Sequence, residues 1–379
     1  MAREPKGKVH TMNGLCPVEI KFENLDYLKK LISKSRGAVV IAERSTSDLW
    51  GLTPTIESAG VIWIDSIPSN PTQREVVNAL KAVGDAEPNL IIAVGGGSSL
   101  DLAKALSAFR YMFEGGKATI EDITKAITSK SYTAEHRMID IIAVPSTSGT
   151  GSEVTKWATI WDVDKVSKFS IECSSLYARQ ALIIPELTAS MPASLTLATA
   201  LDALCHASEA FWAKQTTPLV KEIACRAVDI IMTNLGPALR SPADIRLRRK
   251  LAAGSVLAGI AFSQTHTTAC HSISYPITMK YNVPHGYACA ITLDPVSKLN
   301  RPATEDADML FECYERHGGL KNWLDDVSFG IVTLRLSAFG VKRNELQDIV
   351  KSTFTKGRMD NNPVDLGETD VLDILCSVF

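Results

Sequence analysis

No run of about 18 consecutive apolar residues, the length that spans a bilayer as a helix, occurs in this 379-residue chain. A membrane span is therefore not expected. The charged start MAREPKGKVH, with no apolar stretch behind it, also argues against a secretory leader. The eight cysteines (Cys16, Cys173, Cys205, Cys225, Cys270, Cys289, Cys313, Cys376) include no CxxC pair. Scattered thiols in a chain this long predict buried, reduced side chains in the cytoplasm, with neither a disulfide nor a cysteine-built zinc site. Surplus charge of one sign is missing as well: 40 Lys and Arg against 42 Asp and Glu leave a net -2. No bulk cationic field then draws the chain to nucleic acid or anionic lipid, and any anion it binds must be met by a local site. Solenoid-period repeats and low-complexity linkers are also absent.

What the chain does contain is ordinary globular material. Apolar residues make up 45% and charged residues 22%, outside the corner of composition where chains stay disordered. At roughly 150 residues per domain the length is two to three domains' worth. In the first half, short β-branched runs (Ala38–Ala42, Val61–Asp65, Leu90–Val94, Ile139–Val144) alternate with helical stretches such as Thr72–Val83 and Ser98–Phe109. Further strands are expected at Ala158–Trp161 and Gln180–Ile184. This alternation predicts a mostly parallel sheet with helices on both faces. After about Pro192 the texture changes to long Ala/Leu-rich segments of helical spacing: Ser194–Lys214, Leu219–Leu239, Ala243–Phe262 and onward. The expected architecture is an α/β dinucleotide-binding domain over 1–185 followed by an all-α domain over 186–379.

Directly after the strand ending at Val94 stand Gly95, Gly96, Gly97, Ser98 and, three residues on, Asp101. Glycines admit a ligand close to the backbone, Ser98 is a suitable helix cap, and a helix N-terminus attracts a phosphate. The pattern departs from the usual dinucleotide fingerprint, since Leu100 replaces the third glycine. Either an anion cradle or a tight strand-to-helix turn explains it. A second hydroxyl- and glycine-rich loop, with Thr147, Ser148 and Thr150, follows the strand ending at Val144, the sheet edge where ligands of open α/β folds bind. Glu43 ends the first of the strands read above and suits a ribose hydroxyl, whereas the adjacent Arg44 would suit a 2′-phosphate.

Histidine is scarce: there are seven, and three of them (His266, His271, His285) fall within twenty residues. Upstream, Asp202 and His206 lie four apart in a strongly helical stretch and so project from one face. Such a pair, joined by histidines of a second segment, either surrounds a divalent ion or forms a hydrogen-bonded polar island in the core.

In order and spacing, GGGSSLDLAK, PSTSGTGSEVT, ALDALCHASEAF and HSISYPITMKYNVPHG resemble the iron-containing (group III) alcohol dehydrogenase family. The likeness runs from the Glu43 strand to Asn362 and Pro363. It implies a dinucleotide domain, a helical domain and an active site in the cleft between them. Residue by residue, it implies Asp202, His206, His271 and His285 as metal ligands, with His266 left over, and Lys168 as a cofactor lysine. It further implies Trp157, Thr159, Phe262 and Tyr275 along the substrate cleft, and Arg358 where the C-terminal segment reaches it. Four residues after His271, where many members carry a proton-relay histidine, this chain has Tyr275, followed by Pro276. Its hydroxyl either takes over the relay beside His271 or lines the pocket. Leu201 replaces the usual glycine before the metal aspartate.

The implied chemistry is metal-assisted hydride exchange between a nicotinamide and a small aldehyde or alcohol. Fe(II) is the family default, and an Asp/His₃ set also suits Zn(II). Glu43 favours NAD(H) over NADP(H). Arg358 is either a solvated surface residue or the partner of a substrate carboxylate, phosphonate or phosphate. The segment from His271 to Gly286 is similar to the branch that contains phosphonoacetaldehyde reductases, which make 2-hydroxyethylphosphonate. Alternatives are a dehydrogenase of the butanol, lactaldehyde or 4-hydroxybutyrate type, and a dehydroquinate-synthase-like metal lyase, which consumes no net NADH. The resemblance implies a homodimer or larger assembly.

Overall fold

The computed structural model describes residues 15–134, 137–162 and 168–379. The N-terminal part runs β1 (Glu19–Phe22), α1 (Leu25–Ser33), β2 (Val39–Ala42), α2 (Arg44–Leu49), α3 (Thr53–Ser58), β3 (Ile62–Ile64), α4 (Gln73–Val83), β4 (Leu90–Gly95), α5 (Gly97–Phe109), α6 (Ile120–Thr128) and β5 (Asp140–Pro145). An antiparallel ribbon, β6 (Trp157–Trp161) with β7 (Lys168–Glu172), and the strand β8 (Gln180–Ile183) complete it. Six strands form one all-parallel sheet in the order β1-β8-β5-β4-β2-β3.

The period-2 geometry of strands explains why the central ones read as unbroken apolar runs: both faces are covered. Val39, Ile41, Ile91, Ala93, Ile141 and Ala143 pack with α4, α5 and α6. Their neighbours Val40, Ala42, Ile92, Val94, Ile142 and Val144 pack with α1 and α3. The sheet has its topological switch between β2 and β4. From β2 the chain moves outward to β3, and from β4 it moves the other way to β5. The carboxyl ends of β2 and β4, Glu43 and the Gly95–Gly97 loop, therefore flank the crevice in which such sheets bind ligands.

The remainder is helical: α7 (Ala193–Trp212), α8 (Pro218–Arg240), α9 (Ile245–Thr265), α10 (Ala269–Tyr281), α11 (His285–Asn300), α12 (Ala307–Glu315), α13 (Leu320–Ser328), α14 (Leu346–Lys351) and α15 (Glu368–Ser377). Helix α7 is buried on nearly every side and is the axis of this part, with α8, α9, α10 and α11 packed around it. A helix apolar all round belongs in a core, which makes the Asp, His and Glu on it conspicuous. No helix among the described residues is long and apolar enough to cross a membrane. All eight cysteines are free thiols.

Two details differ from the sequence reading. Gly96, not Ser98, holds the N-cap position of α5; the Ser98 hydroxyl instead accepts the Asn70 backbone N–H at 3.2 Å. The short strands β1 and β7, which carry charged residues among apolar ones, are not among the strands expected from the sequence.

Candidate active site

Asp202 and His206 sit one turn apart on buried α7, and Glu209 follows on the next turn of the same face. Helix α10 begins just before His271, and α11 begins at His285. Gly286 lets α11 close onto α7: a Cβ there would stand 1.8 Å from the Ala198 carbonyl oxygen and 3.1 Å from Asp202 Cβ. That close approach brings the His285 ring to the Asp202 carboxylate.

All three imidazoles turn the same nitrogen to the same oxygen. Asp202 Oδ1 lies 3.5 Å from His271 Nε2 and 3.9 Å from Nε2 of both His206 and His285. Each Nδ1 is engaged on the far side. His206 Nδ1 donates to the Gly149 carbonyl at 3.3 Å, and His271 Nδ1 meets the Glu209 carboxylate. Ser274 gives its hydroxyl proton to the His271 carbonyl and faces His285 Nδ1 at 3.5 Å. With the proton on Nδ1, a neutral imidazole presents its Nε2 lone pair, so all three rings can turn an acceptor toward the carboxylate oxygen. Asp202 Oδ1 and His271 Nε2 are buried and lack a hydrogen-bond partner among the described residues. A buried carboxylate oxygen ringed by imidazole nitrogens attracts positive charge, carried either by a ring proton or by a metal ion. Bonds of 2.0–2.3 Å to one tetrahedral ion would separate its donors by about 3.3–3.8 Å, near the 3.5–3.9 Å from Asp202 Oδ1 to the three ring nitrogens; the tightest group, with donor atoms all within 4.8 Å of one another, is Asp202, His271, His285 and Cys289, and His206 stands outside it. The residues therefore fit a divalent metal. His266 is elsewhere, its Nε2 3.7 Å from Glu172.

Glu209 is fully buried, and burial alone would raise its pKa. The His271 ring and its hydrogen bonds outweigh that and hold the carboxyl below its usual range. It accepts from the Thr268 amide at 3.1 Å, the Thr268 hydroxyl at 2.9 Å and the Cys270 amide at 2.8 Å, fixing the start of α10 as well as the His271 tautomer. Burial pushes the His206 imidazole down to about 4, so it stays neutral near pH 7, as a ligand must. His271 is different: burial opposes its charge, yet Cys289, Glu209 and Asp202 draw it well above the ordinary value, so positive charge is attracted to this point. Carboxylates that orient a ligating histidine typically contribute 10–100-fold in metal affinity. Glu209→Gln is expected to weaken Zn(II) binding by roughly that factor, measured by competition with a chromogenic chelator, with the helical circular-dichroism signal unchanged.

On the sheet side, Glu43 accepts the Ile67 amide at 2.8 Å. Arg44 is committed to Asp65 at 2.8 Å and Glu57 at 3.1 Å and lies over the Trp63 ring. The two loops touch: a side chain on Gly97 would begin 3.0 Å from Thr150 Cγ2, and one on Gly96 would meet Thr147 at 3.5 Å. Ser148 is buried beside them. Asp101 faces inward, taking the Ser152 hydroxyl at 2.8 Å and the Thr159 amide at 2.9 Å. Lys104, also on α5, is buried and donates to Ser152, Thr155 and the Trp157 carbonyl; burial lowers its pKa to about 8. Lys168 pairs through its backbone with Trp161, and its side chain lies outside the described part of the structure.

The wall beside the imidazoles is aromatic. Phe262 stacks on His206 at 4.0 Å between ring centres, Trp157 lies against Phe262 at 5.4 Å, and His266 stacks on Trp157 at 4.9 Å. Thr159 is two residues along β6. Tyr275 lies parallel to His285, ring centres 6.0 Å apart. The His285 side chain is 39% exposed against 3–8% for the other three, so the site opens beside Tyr275. Arg358 is half-buried, and its charge acts on His266.

Residues 17–185 match the iron-containing alcohol dehydrogenase family, and residues 196–379 match the C-terminal part of the Fe-containing alcohol dehydrogenase family. The chain belongs to the iron-containing alcohol dehydrogenases. An NADPH-dependent butanol dehydrogenase of Clostridium saccharobutylicum is 31% identical, covering 73% of this chain and 70% of its own. The phosphonoacetaldehyde reductase of Streptomyces viridochromogenes is 30% identical over 70% of this chain and 66% of its own. The fold matches the crystal structure of sulfoacetaldehyde reductase from Bifidobacterium kashiwanohense in complex with NAD+, with a TM-score of 0.83 and 24% identity over 96% and 97% of the two chains.

As a member of this family the protein is an oxidoreductase of alcohols and aldehydes. Three residues around its site were not read from the sequence. Glu209 is i+3 from His206 and i+7 from Asp202, and Cys289 is i+4 from His285; both had a helical-face signal available. Lys104 lies inside the glycine-loop helix but is masked there by its ordinary surface chemistry.

Proposed function

We propose that the protein is a metal-dependent, NAD(H)-linked reductase of a small anionic aldehyde, with phosphonoacetaldehyde to 2-hydroxyethylphosphonate as the best-fitting reaction. The observation that carries the metal part is the convergence of three imidazole Nε2 atoms on Asp202 Oδ1. Asp202, His206, His271 and His285 would hold Fe(II) or Zn(II). Bound there, the ion supplies Lewis acidity, polarising a carbonyl oxygen or lowering the pKa of an alcohol.

The chain's own residues do the rest. The amides and dipole of α5, opened by Gly95, Gly96 and Gly97, would take the pyrophosphate, with Ser98, Thr147, Ser148, Thr150 and Lys168 alongside. Asp101 supports the loop from beneath and is assigned a positioning role. Glu43 would accept ribose hydroxyls, and NAD(H) is preferred because Arg44, already held by Asp65 and Glu57, is unavailable to a 2′-phosphate. The expected result is a kcat/KM for NADH at least tenfold above that for NADPH. Phe262 and Trp157 exclude water from one side of the His206 ring. Tyr275, at the open edge beside His285, would pass a proton between the product oxygen and solvent through its hydroxyl, and His271 would fix the reacting centre. The domain division is placed at 185/186. A cytoplasmic homodimer or larger assembly completes the reading, supported by the free thiols and the family resemblance.

Arg358 is proposed to meet the substrate anion, with His266 and Lys156 on the same rim. Arg358→Ala should raise KM about tenfold or more for phosphonoacetaldehyde and less than twofold for propanal; equal changes would remove the anion assignment. A neutral short aldehyde is the second reading. Glu172, 3.2 Å from Lys156 and 3.7 Å from His266, favours it by neutralising part of that rim.

A further inference from the structure

We infer that Cys289 is a fifth protein ligand of the metal, making the donor set Asp/His₃/Cys; the inference rests on the metal reading above. Helix α11 carries His285 and Cys289 four residues apart, so imidazole and thiol hang from one face. The site is thus built from two such pairs, Asp202 with His206 on α7 and His285 with Cys289 on α11, with His271 between them. Cys289 is buried, and its Sγ lies 3.8 Å from His285 Nε2. Donor atoms of Asp202, His271, His285 and Cys289 all lie within 4.8 Å of one another, so Cys289 belongs to the tightest donor group, while His206 joins it only through Asp202 Oδ1 at 3.9 Å. A thiol that only filled core space would have aliphatic neighbours on every side. This one meets His285 Nε2, which the Asp202 carboxylate also faces, and Asp202 Oδ1 and His271 Nε2 nearby have no hydrogen-bond partner among the described residues.

Ligation would release the thiol proton to solvent as the S–metal bond forms. The protein would then contribute two negative charges, carboxylate and thiolate, to a divalent ion. A soft donor biases the site toward Zn(II) and away from Mg(II) and Mn(II), which take oxygen ligands.

The test is to remove metal from the full-length protein with a chelator and refill it anaerobically with Co(II). The expected spectrum has visible ligand-field bands and, in the near ultraviolet, a thiolate-to-cobalt charge-transfer band. Cys289→Ser should keep the first and lose the second, with Cys205 and Cys270 still in place. On the Zn(II)-loaded wild type, X-ray absorption should show one sulfur neighbour at about 2.3 Å, a measurement that needs no variant. Ligand-field bands without charge transfer, or a charge-transfer band that survives in Cys289→Ser, would overturn the assignment of Cys289 while leaving the Asp/His site standing. Failure of the wild type to retain cobalt or zinc at all would overturn the metal reading itself.

Discussion

Asp202→Asn is expected to lose the bound metal and about a thousandfold or more in kcat/KM for aldehyde reduction, near 4 kcal/mol of transition-state stabilisation. The reason is geometric as much as electrostatic. Asp202 Oδ1 is the atom toward which all three Nε2 atoms point, at 3.5, 3.9 and 3.9 Å. An amide there removes the charge and presents either a neutral oxygen or an N–H group to the same three ring nitrogens. Metal content by elemental analysis and NADH oxidation with an aldehyde measure the two losses. Because Asn matches Asp in shape, the far-ultraviolet spectrum should not change. Full activity in metal-depleted Asp202→Asn would refute the metal role.

The second large effect comes from a residue with no functional group. Gly286→Ala places a methyl where only 1.8 Å separates it from the Ala198 carbonyl oxygen and 2.7 Å from the Ala198 carbonyl carbon. Those are backbone atoms of the most buried helix and cannot swing aside, so α11 must move away from α7. Overpacking of this kind costs about 3 kcal/mol, a fall of roughly 6 °C or more in melting temperature. It also carries His285 away from Asp202, so metal affinity should drop with stability. Gly236→Ala is the control. It lies inside α8, where the nearest atom to a new Cβ is the flexible end of Arg240 at 3.4 Å. Helix propensity there favours Ala by up to about 1 kcal/mol, so melting should stay level or rise, with metal binding unchanged. Equal behaviour of the two variants would show that the α7–α11 contact does not set the site.

Much of this architecture was legible in the residues. Central strands such as Ile91–Val94 are buried on both faces, which forces β-branched runs that stand out from the amphipathic helices between them. The Asp202/His206 spacing announced a shared helix face. What a linear reading misses is partnership across the fold. β1 is an edge strand whose Glu19 and Lys21 pair with each other at 2.8 Å on the surface, so its pattern resembles a solvated loop. Asp101, read as a cofactor residue from its place after the glycines, points instead into the β6 side, because Ser152 and Thr159 offer it donors there. Ser98 lost the cap to Gly96 because the extended backbone needed at that position falls one residue before α5 starts. Glu209 and Cys289 matter only once α10 and α11 are folded against α7, a contact between segments some 60 to 80 positions apart.

Because Asp202 and His206 occupy the middle of the innermost helix and Glu209 its last turn, occupancy of the site and integrity of the helical half are linked equilibria. A cation that binds only the folded chain adds about 2.7 kcal/mol of resistance to unfolding at a hundred times its dissociation constant. Heat tolerance of a preparation would then report how fully it is loaded, and samples differing only in trace-ion history would melt as different proteins.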